Sequence, residues 1–350
     1  MKAPVIEISG KRIGSGHPTY IIAEMSANHG QDFDRALRIL EAAKEAGADA
    51  VKLQTYTADT LTINCDNDYF RIKGTAWQGR NLHDLYREAF TPWEWQPKLA
   101  ATAASMGLHC FSTPFDNSAV DFLESFGVPA HKVASFEVVD LPLLKKIAAT
   151  GKPVIMSTGM ATLAEIDEAV TTLRLGGCPQ IALLKCTSAY PASPADMNLR
   201  TIPHLAAAFG VVAGLSDHSL GIVAAVTAVS MGASIIEKHL TLSRKDGGPD
   251  SGFSLEPPEF KAMVAAVREA EQALGQVSYS VTAQEEASRV FRRSLFVVRD
   301  IRAGEVFNSA NVRSIRPGHG LHTRYFDIVL GRRAAQDIEK GTPLTWEHLG

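Results

Sequence analysis

VVAGLSDHSLGIVAAVTAVSMGASIIEKHLTL, residues 211–242, carries the fold in miniature. It contains two short runs, VVAGLSDHS (211–219) and SIIEKHLTL (234–242), each continuously apolar before turning polar at its C-terminal end. A strand apolar on both faces is covered on both faces, the condition of a parallel sheet wrapped by helices. Working outward, the same kind of run recurs as YIIAEMS (20–26), AVKLQTY (50–56), LHCFSTPF (108–115), HKVAS (131–135), PVIMSTG (153–159) and IALLKCTS (181–188). Segments of helical period lie between them. DFDRALRILEAAKEAG (32–47) sets Phe33, Leu37 and Leu40 on one stripe and stops at Gly47. NSAVDFLESFG, DLPLLKKIAATG and TLAEIDEAVTTLRLGG each open near a capping-type residue and end on glycine. PPEFKAMVAAVREAEQALG (257–275) begins with prolines, which a first helical turn tolerates. Eight such units predict an α/β fold, a closed (β/α)8 TIM barrel. The rival doubly wound sheet would open with a GxGxxG turn, and none is present in the first unit.

Two regions break the rhythm. Residues 58–90 form a long polar insertion dotted with aromatics after the second strand, a place where barrels put active-site lids. After Gly275 the alternation stops: VSYSVTAQEEAS (277–288) reads as a linker, and residues 291–350 read as short β elements with turns. DIRAGEVF (300–307) and DIEKGTPL (337–344) resemble each other, a hint of internal pseudo-symmetry. The expected organisation is a catalytic barrel over 1–276, a linker over 277–290 and a small β-rich domain over 291–350.

Composition excludes several classes. With 45% apolar and 21% charged residues among 350, the chain is neither disordered nor fibrous. Its formal charge of −3 gives no basic footprint for nucleic acid or an anionic membrane. No apolar run reaches the roughly 18 residues of a membrane span. The N-terminal MKAPVIEISGKRIG alternates like a strand rather than a signal peptide. Cys65, Cys110, Cys178 and Cys186 are far apart, with Cys110 and Cys186 in apolar runs, as reduced buried thiols are. The expectation is a soluble cytoplasmic protein without nucleic-acid or membrane partners.

Chemistry in such a barrel sits at the C-terminal strand ends. Those ends carry Glu24; Lys52 and Gln54; Ser112, Thr113 and Asp116; Lys132 and Ser135; Ser157 and Thr158; Lys185, Thr187 and Ser188; Ser216, Asp217 and His218; Glu237, Lys238 and His239. His218 and His239 fall on neighbouring strands, and a spacing of two puts Glu237 on the same face as His239 with Lys238 opposite. Two imidazoles beside a carboxylate suit a divalent ion such as Mn²⁺, with open positions for substrate and water. The bland alternative makes His218 a helix-capping residue and His239 a satisfied barrel histidine. Lys52, Lys132 and Lys185, interleaved with Thr113, Ser135, Ser157 and Ser188, suit a small substrate bearing phosphate and carboxylate. A Schiff-base lysine at 132 or 185 is the chemical rival. In SANHG (26–30), Asn28 and His29 either bind substrate or shape the turn. RPGHG (316–320) is a turn or a cationic lid, while Trp77, Trp93 and Trp95 read as packing.

Together the phrases IIAEMSANHGQDFDRA, ADAVKLQTY, FSTPFD, KVASFE, PVIMSTGMAT, LLKCTSAYP, GLSDHSLG, IIEKHLTL and GGPDSGFSLEP resemble the sialic acid synthase family of phosphoenolpyruvate-dependent nonulosonate synthases. RRSLFVVRDIRAGEVF and IRPGHGL are similar to that family's antifreeze-like SAF domain, so the resemblance covers nearly the whole chain in order. It implies metal-dependent condensation of phosphoenolpyruvate with a sugar by C–O cleavage, using Mn²⁺ or else Mg²⁺ or Co²⁺. LLKCTSAYPA, GGPDSGFSLEP and FRRSLFVV resemble the branch that uses 2,4-diacetamido-2,4,6-trideoxy-L-altrose, with N-acetylneuraminate and legionaminate synthesis as the competing branches.

Carried over by position, the resemblance makes His218 and His239 metal ligands; the mechanism expected from these residues has Glu237 steer the water that adds at C2. It gives phosphoenolpyruvate to Lys52, Thr113, Lys132, Ser135, Ser157 and Ser216, with Ser188 where relatives have asparagine and Arg292 in place of a lysine. Glu24, Tyr190 and Asp250 match sugar-side positions. Arg316 matches an arginine that reaches the partner subunit's site and contacts an acetamido group, which implies a domain-swapped homodimer. The alternatives from other classes are a metal-independent Schiff-base aldolase and a non-catalytic carbohydrate-binding protein.

Overall fold

The computed structural model describes residues 4–74 and 77–350, so residues 1–3 and, within the 58–90 insertion, 75 and 76 lie outside it. The chain divides into two compact units, one ending at Gly275 and one running Gln276–Gly350. In the first unit an antiparallel hairpin, β1 (Val5–Ile8) and β2 (Lys11–Gly14), precedes the barrel. The barrel strands are β3 (Tyr20–Glu24), β4 (Ala50–Thr55), β5 (His109–Pro114), β6 (His131–Val133), β7 (Val154–Ser157), β8 (Ile181–Cys186), β9 (Val212–Asp217) and β10 (Ile235–His239). All neighbours are parallel, and β10 closes on β3 with Glu237 opposite Ile22 and His239 opposite Glu24. Each of the eight apolar runs contains one of these strands, which makes the fold the expected TIM barrel.

Side chains alternate across a strand, so each barrel strand serves two cores. Ala23, Val51, Val133, Met156, Leu183, Leu215 and Ile236 face outward and pack against the helices, among them Ile39 and Leu40 of Phe33–Glu45 and Phe260 of Pro257–Leu274. Ile22, Ala50, Phe111, Ile155, Leu184, Val212 and Ile235 face inward. Ile6, Ile8 and Ile13 of the hairpin join this inner cluster and plug the barrel floor. Above that apolar floor the next inward positions are Glu24, Lys52, Ser157, Cys186, Ser216 and Glu237, which line an open cavity. The floor therefore excludes water beneath a layer of charge.

The helices are punctuated as their sequences require. Asp32 accepts the Arg35 amide at 3.0 Å to start Phe33–Glu45, and a reciprocal Thr162–Glu165 capping box starts Leu163–Leu175. The 58–90 insertion folds as a short helix Ala58–Leu61, a 3-10 turn Asp68–Phe70 and a helix Leu82–Ala89. Among the described residues no helix is long and apolar enough to cross a membrane.

The second unit holds β11 (Ser294–Val297) and β12 (Val312–Ile315) as an antiparallel pair, with isolated bridges tying the remaining turns. Leu295, Val297, Ile301, Phe307, Val312, Ile338 and Leu344 form its core. The repeated phrases sit against each other: Ile301 and Ile338 exchange amide bonds at 2.9 and 2.8 Å. The Asp300 carboxylate accepts from Lys340 N and the Asp337 carboxylate from Ala303 N, both at 2.7 Å, so the internal pseudo-symmetry is real. The stretch expected as a bare linker contains a helix, Ala283–Ser288, started by a Thr282–Glu285 capping box. Its polar composition hid the Thr-x-x-Glu signature.

Phe111 is fully buried in the floor layer. Phe111→Ala should lower the free energy of unfolding by about 3–5 kcal/mol, the range for a buried aromatic truncated in a packed core. Urea denaturation followed by circular dichroism checks it, and a midpoint equal to that of the parent would contradict the plugged floor.

Candidate active site

The cavity at the C-terminal ends of the barrel strands has a volume of about 400 Å³. Its base is a buried charge cluster. Lys52 Nζ lies 2.6 Å from Glu24 Oε2 and 3.2 Å from Glu237 Oε1, and Lys132 Nζ is 3.9 Å from the same Glu237 oxygen. None of the four residues is more than 5% exposed. Two ammonium and two carboxylate groups out of water are tolerable only because they neutralise one another. Burial brings Lys52 down to about 8 against the opposing pull of Glu237. For Glu237 burial acts upward, but Lys132 and Lys52 outweigh it and hold the carboxyl below its usual range. It is a carboxylate at neutral pH, and its Oε2 is buried without a hydrogen-bond partner.

Hydroxyls surround this cluster. Lys132 Nζ donates to Ser157 Oγ at 2.7 Å, Ser216 Oγ to Glu237 Oε1 at 3.1 Å, and Lys52 Nζ to Thr113 Oγ1 at 3.4 Å. The Gly159 amide donates to Ser135 Oγ at 3.0 Å. Only glycine permits that approach, because a Cβ at 159 would run into Ser188 Oγ and Ser135 Oγ. Cations with several hydroxyl donors, in a site sealed from below, form a cradle for a small anion.

His218 and His239 meet edge to face with ring centroids 5.3 Å apart, held by Phe253 against both rings and Tyr190 against His218. His218 Nδ1 is 3.2 Å from the Thr187 carbonyl, so Nδ1 carries a proton and the ring orientation is fixed. Burial, then the charges of His218 and Lys52, push His239 far below the usual histidine range. It is neutral at pH 7, and its Nδ1 is buried without a partner. Burial acts downward on His218, but Cys186 holds its ring above the usual histidine range. His239 therefore offers a neutral nitrogen, and His218 becomes a ligand on losing its proton to a divalent transition ion. Among the described residues no group of three or more His, Cys, Asp or Glu side chains is placed to hold a metal ion. The two imidazoles by themselves would leave most coordination positions to substrate and water.

On the β3–β4 side, Gln54 Nε2 donates to Glu24 Oε1 at 3.3 Å and to Ser26 Oγ at 3.1 Å, and the Ser26 hydroxyl donates to Asp250. With Tyr190, these groups line the polar wall of the cavity.

Several strand-end residues lie elsewhere. Lys185 does not join the cationic set: it occupies an outward position, and its Nζ donates to the Cys186 carbonyl at 3.0 Å. Asp217 and Lys238 pair at 2.6 Å, fully buried behind the barrel wall. Asp116 caps the helix Asn117–Phe126, and Ser112 bonds Thr55 at 2.6 Å. Ser188 and Thr113 are not among the lining residues, although Thr113 Oγ1 lies 3.4 Å from Lys52 Nζ. Asn28 and His29 are turn residues rather than cavity residues, with Asn28 Nδ2 bonding Leu240 O at 3.0 Å and Ser254 Oγ at 2.9 Å. His29 bonds Thr91 at 3.1 Å. Arg292 and Arg316 belong to the second unit, where both are exposed. Trp93 and Trp95 pack as expected, but Trp77 lines the cavity, with its ring 5.6 Å from Tyr190 and its indole N–H given to Pro249 O.

Sequence reading passed over Cys186, Glu137, Tyr56, Tyr86 and Phe115 as lining residues. Cys186 had a signal: it shares the inward parity of Leu184, while Lys185 does not. Burial alone would raise its thiol, but His218, 3.7 Å away, brings it down to about 7. Burial pushes the Glu137 carboxyl up to about 7 despite Lys132.

The NeuB family matches residues 39–279, and the SAF domain matches residues 292–350. The chain is 47% identical to a pseudaminic acid synthase of Campylobacter jejuni subsp. jejuni serotype O:23/36 (strain 81-176) over 93% of this chain and 95% of that protein. It is 44% identical to a pseudaminic acid synthase of Helicobacter pylori, covering 95% of this chain and 98% of that one. The crystal structure of an N-acetylneuraminic acid (sialic acid) synthetase from Leptospira borgpetersenii in complex with citrate superposes with a TM-score of 0.73 at 32% identity, over 82% of this chain and 95% of that chain.

His29 yields a pH prediction. Burial, then the Arg35 charge, lowers it to about 4. The native state thus refuses a proton that the unfolded chain accepts below about 6.5, so stability falls as pH drops through the window from about 6.5 to 4. Between pH 7 and 4.5 the contribution is about 2–3 kcal/mol. Denaturation at the two pH values should show a larger loss in the parent than in His29→Gln, and equal losses would contradict a neutral buried imidazole.

Proposed function

The chain belongs to the NeuB family, and from that membership we propose that it is an enzyme that condenses phosphoenolpyruvate with 2,4-diacetamido-2,4,6-trideoxy-L-altrose to give pseudaminic acid and phosphate. The carrying observation is the buried pair Lys52 and Lys132, ringed by hydroxyls, beside a carboxylate with a free oxygen and two facing imidazoles. Phosphoenolpyruvate brings two anionic groups on a three-carbon frame, which is the charge and size that this cradle accepts.

In this reaction Lys52, Lys132, Ser135, Ser157 and Ser216 hold the phosphate and carboxylate, while Thr113 holds Lys52 in place and Ser188 backs the Gly159 turn. Glu24, Tyr190 and Asp250 hold the sugar on the opposite wall. The fixed geometry brings phosphoenolpyruvate C3 onto the aldehyde C1 of the open-chain sugar, a proximity effect. A C–C bond forms, positive charge develops at C2, and the aldehyde oxygen, left as an alkoxide, becomes a hydroxyl with the proton that Glu237 takes from the attacking water. Glu237 lies beside that carbon and takes the proton of the water that adds there through Oε2. The tetrahedral centre then collapses to the ketone, and the C2–O bond breaks with its electron pair leaving in phosphate. His218 and His239 would hold a divalent ion, Mn²⁺ or else Mg²⁺ or Co²⁺, which when bound supplies Lewis acidity toward the aldehyde oxygen.

A Schiff-base route has less support, because Lys185 is turned out of the cavity and Lys132 is committed to Ser157 and the Val133 carbonyl. We further propose a homodimer in which the exposed Arg316 of one chain reaches the sugar held by the other, with Arg292 at the phosphoenolpyruvate side. We also propose a partition into a catalytic barrel over 1–276, a linker over 277–290 and a SAF domain over 291–350. We place the reaction in the cytoplasm, where phosphoenolpyruvate is made.

Phosphate release from phosphoenolpyruvate with Mn²⁺ tests the proposal. It should occur with the altrose-configured sugar, stop in EDTA, and be absent with N-acetylmannosamine. Release with N-acetylmannosamine alone would move the chain to the sialic acid branch. In the same assay His218→Ala and His239→Ala should abolish turnover with the circular dichroism spectrum unchanged, and Arg316→Ala should raise KM for the sugar more than KM for phosphoenolpyruvate. Full activity of either histidine variant would remove the metal assignment, and the reverse KM pattern would remove the role of Arg316.

A further inference from the structure

The cavity has two chemically different linings. The strand tips supply the charged one. The other is built by the 58–90 insertion, which contributes Leu61, Ile72, Leu82 and Leu85, with Tyr86 and Trp77 beside them. Of these six, Tyr86 carries a hydroxyl, and the Trp77 indole N–H is already given to Pro249 O at 3.1 Å. The four aliphatic side chains offer no hydrogen bond at all.

This wall is tied together rather than loosely draped. His83 Nε2 lies 2.9 Å from Asp59, joining helix Leu82–Ala89 to helix Ala58–Leu61. Asn81 Nδ2 donates to Cys65 O at 2.7 Å, and Ile72 N donates to Arg80 O at 2.9 Å. The apolar surface is therefore shaped before substrate arrives.

We propose that the 58–90 insertion is the sugar-selecting wall of the site, and that Leu61, Ile72, Leu82 and Leu85 receive the methyl end of the sugar and disfavour a hydroxyl there. The proposal rests on the condensation described above. The reacting C1 must lie at the charged lining, beside Glu237 and the imidazoles. An open-chain sugar held there by Glu24 and Asp250 extends its C6 end away from the strand tips, toward the insertion. A 6-deoxy sugar presents a methyl group to aliphatic carbon, while a 6-hydroxy sugar buries a hydroxyl where these four side chains provide no partner. An apolar pocket discriminates against an added hydroxyl by roughly ten- to hundredfold, and no more.

The test compares kcat/KM for the 6-deoxy sugar and for its 6-hydroxy counterpart of the same configuration, by phosphate release from phosphoenolpyruvate. The parent enzyme should favour the 6-deoxy sugar by roughly ten- to hundredfold. Leu61→Asn and Ile72→Thr, both at partly exposed positions, should each narrow that ratio several-fold while KM for phosphoenolpyruvate stays unchanged. Leu61→Met should keep the parent ratio. Equal use of the two sugars by the parent, or a ratio that none of the polar variants moves, would overturn the assignment. If the parent released phosphate with neither sugar, the condensation itself would fall, a result read before any variant is made.

Discussion

The arrangement at the centre of this protein depends on one constraint, the mutual neutralisation of Lys52, Lys132, Glu24 and Glu237 inside a closed barrel. Removed from water singly, each group would cost several kcal/mol, and each would lower that cost by losing its charge. Placed together they offset one another: Glu237 is held below its usual range by the two lysines, and Glu237 opposes the fall that burial imposes on Lys52. The barrel makes this possible because four different strands deliver the four groups to one layer. A substrate carrying phosphate and carboxylate enters a site whose cations are already oriented, so little reorganisation is left for the moment of reaction.

The same layer explains the neighbouring imidazoles. His239 sits among positive charges and away from water, which keeps it neutral with one ring-nitrogen lone pair available. His218 is oriented by the Thr187 carbonyl, a contact that selects one ring nitrogen for the cavity. Beneath them the plug of Ile6, Ile8 and Ile13 against Phe111 and Ile235 closes the floor. Local charge interactions strengthen when water is excluded, so the apolar hairpin, which touches no substrate, sets the dielectric in which the charged layer works.

The second unit builds its order from a different device, a duplicated phrase folded on itself. Asp300 serves the turn that follows Asp337, and Asp337 serves the turn that follows Asp300. Such reciprocity means that each copy lacks its capping partner when alone. A small domain with a core of this size is thereby stabilised by exchange between its halves as well as by burial.

How much of this was legible in the chain differs by level. Eight apolar runs with polar C-terminal ends determined the barrel, because periodicity and burial are properties of neighbouring residues. The spacing of two in Glu237-x-His239 determined that both reach one face while Lys238 does not, again because strand geometry is local. That same rule, applied to Leu184, Lys185 and Cys186, would have put Cys186 in the cavity and Lys185 outside it. The residue types alone hid this, since a lysine at a strand end looks functional and a cysteine in an apolar run looks structural. Other assignments had no local signature. That Asn28 bonds Leu240 O and Ser254 and that Trp77 reaches across to Pro249 depend on contacts between residues 172 or more apart, and that the insertion turns its aliphatic side chains into the cavity depends on packing against other segments. The sequence by itself determined the strands, their inward and outward faces and the kinds of charge at their ends. Only the tertiary structure decided which of those charges meet, because meeting is a matter of ring closure and long-range packing that no single segment encodes.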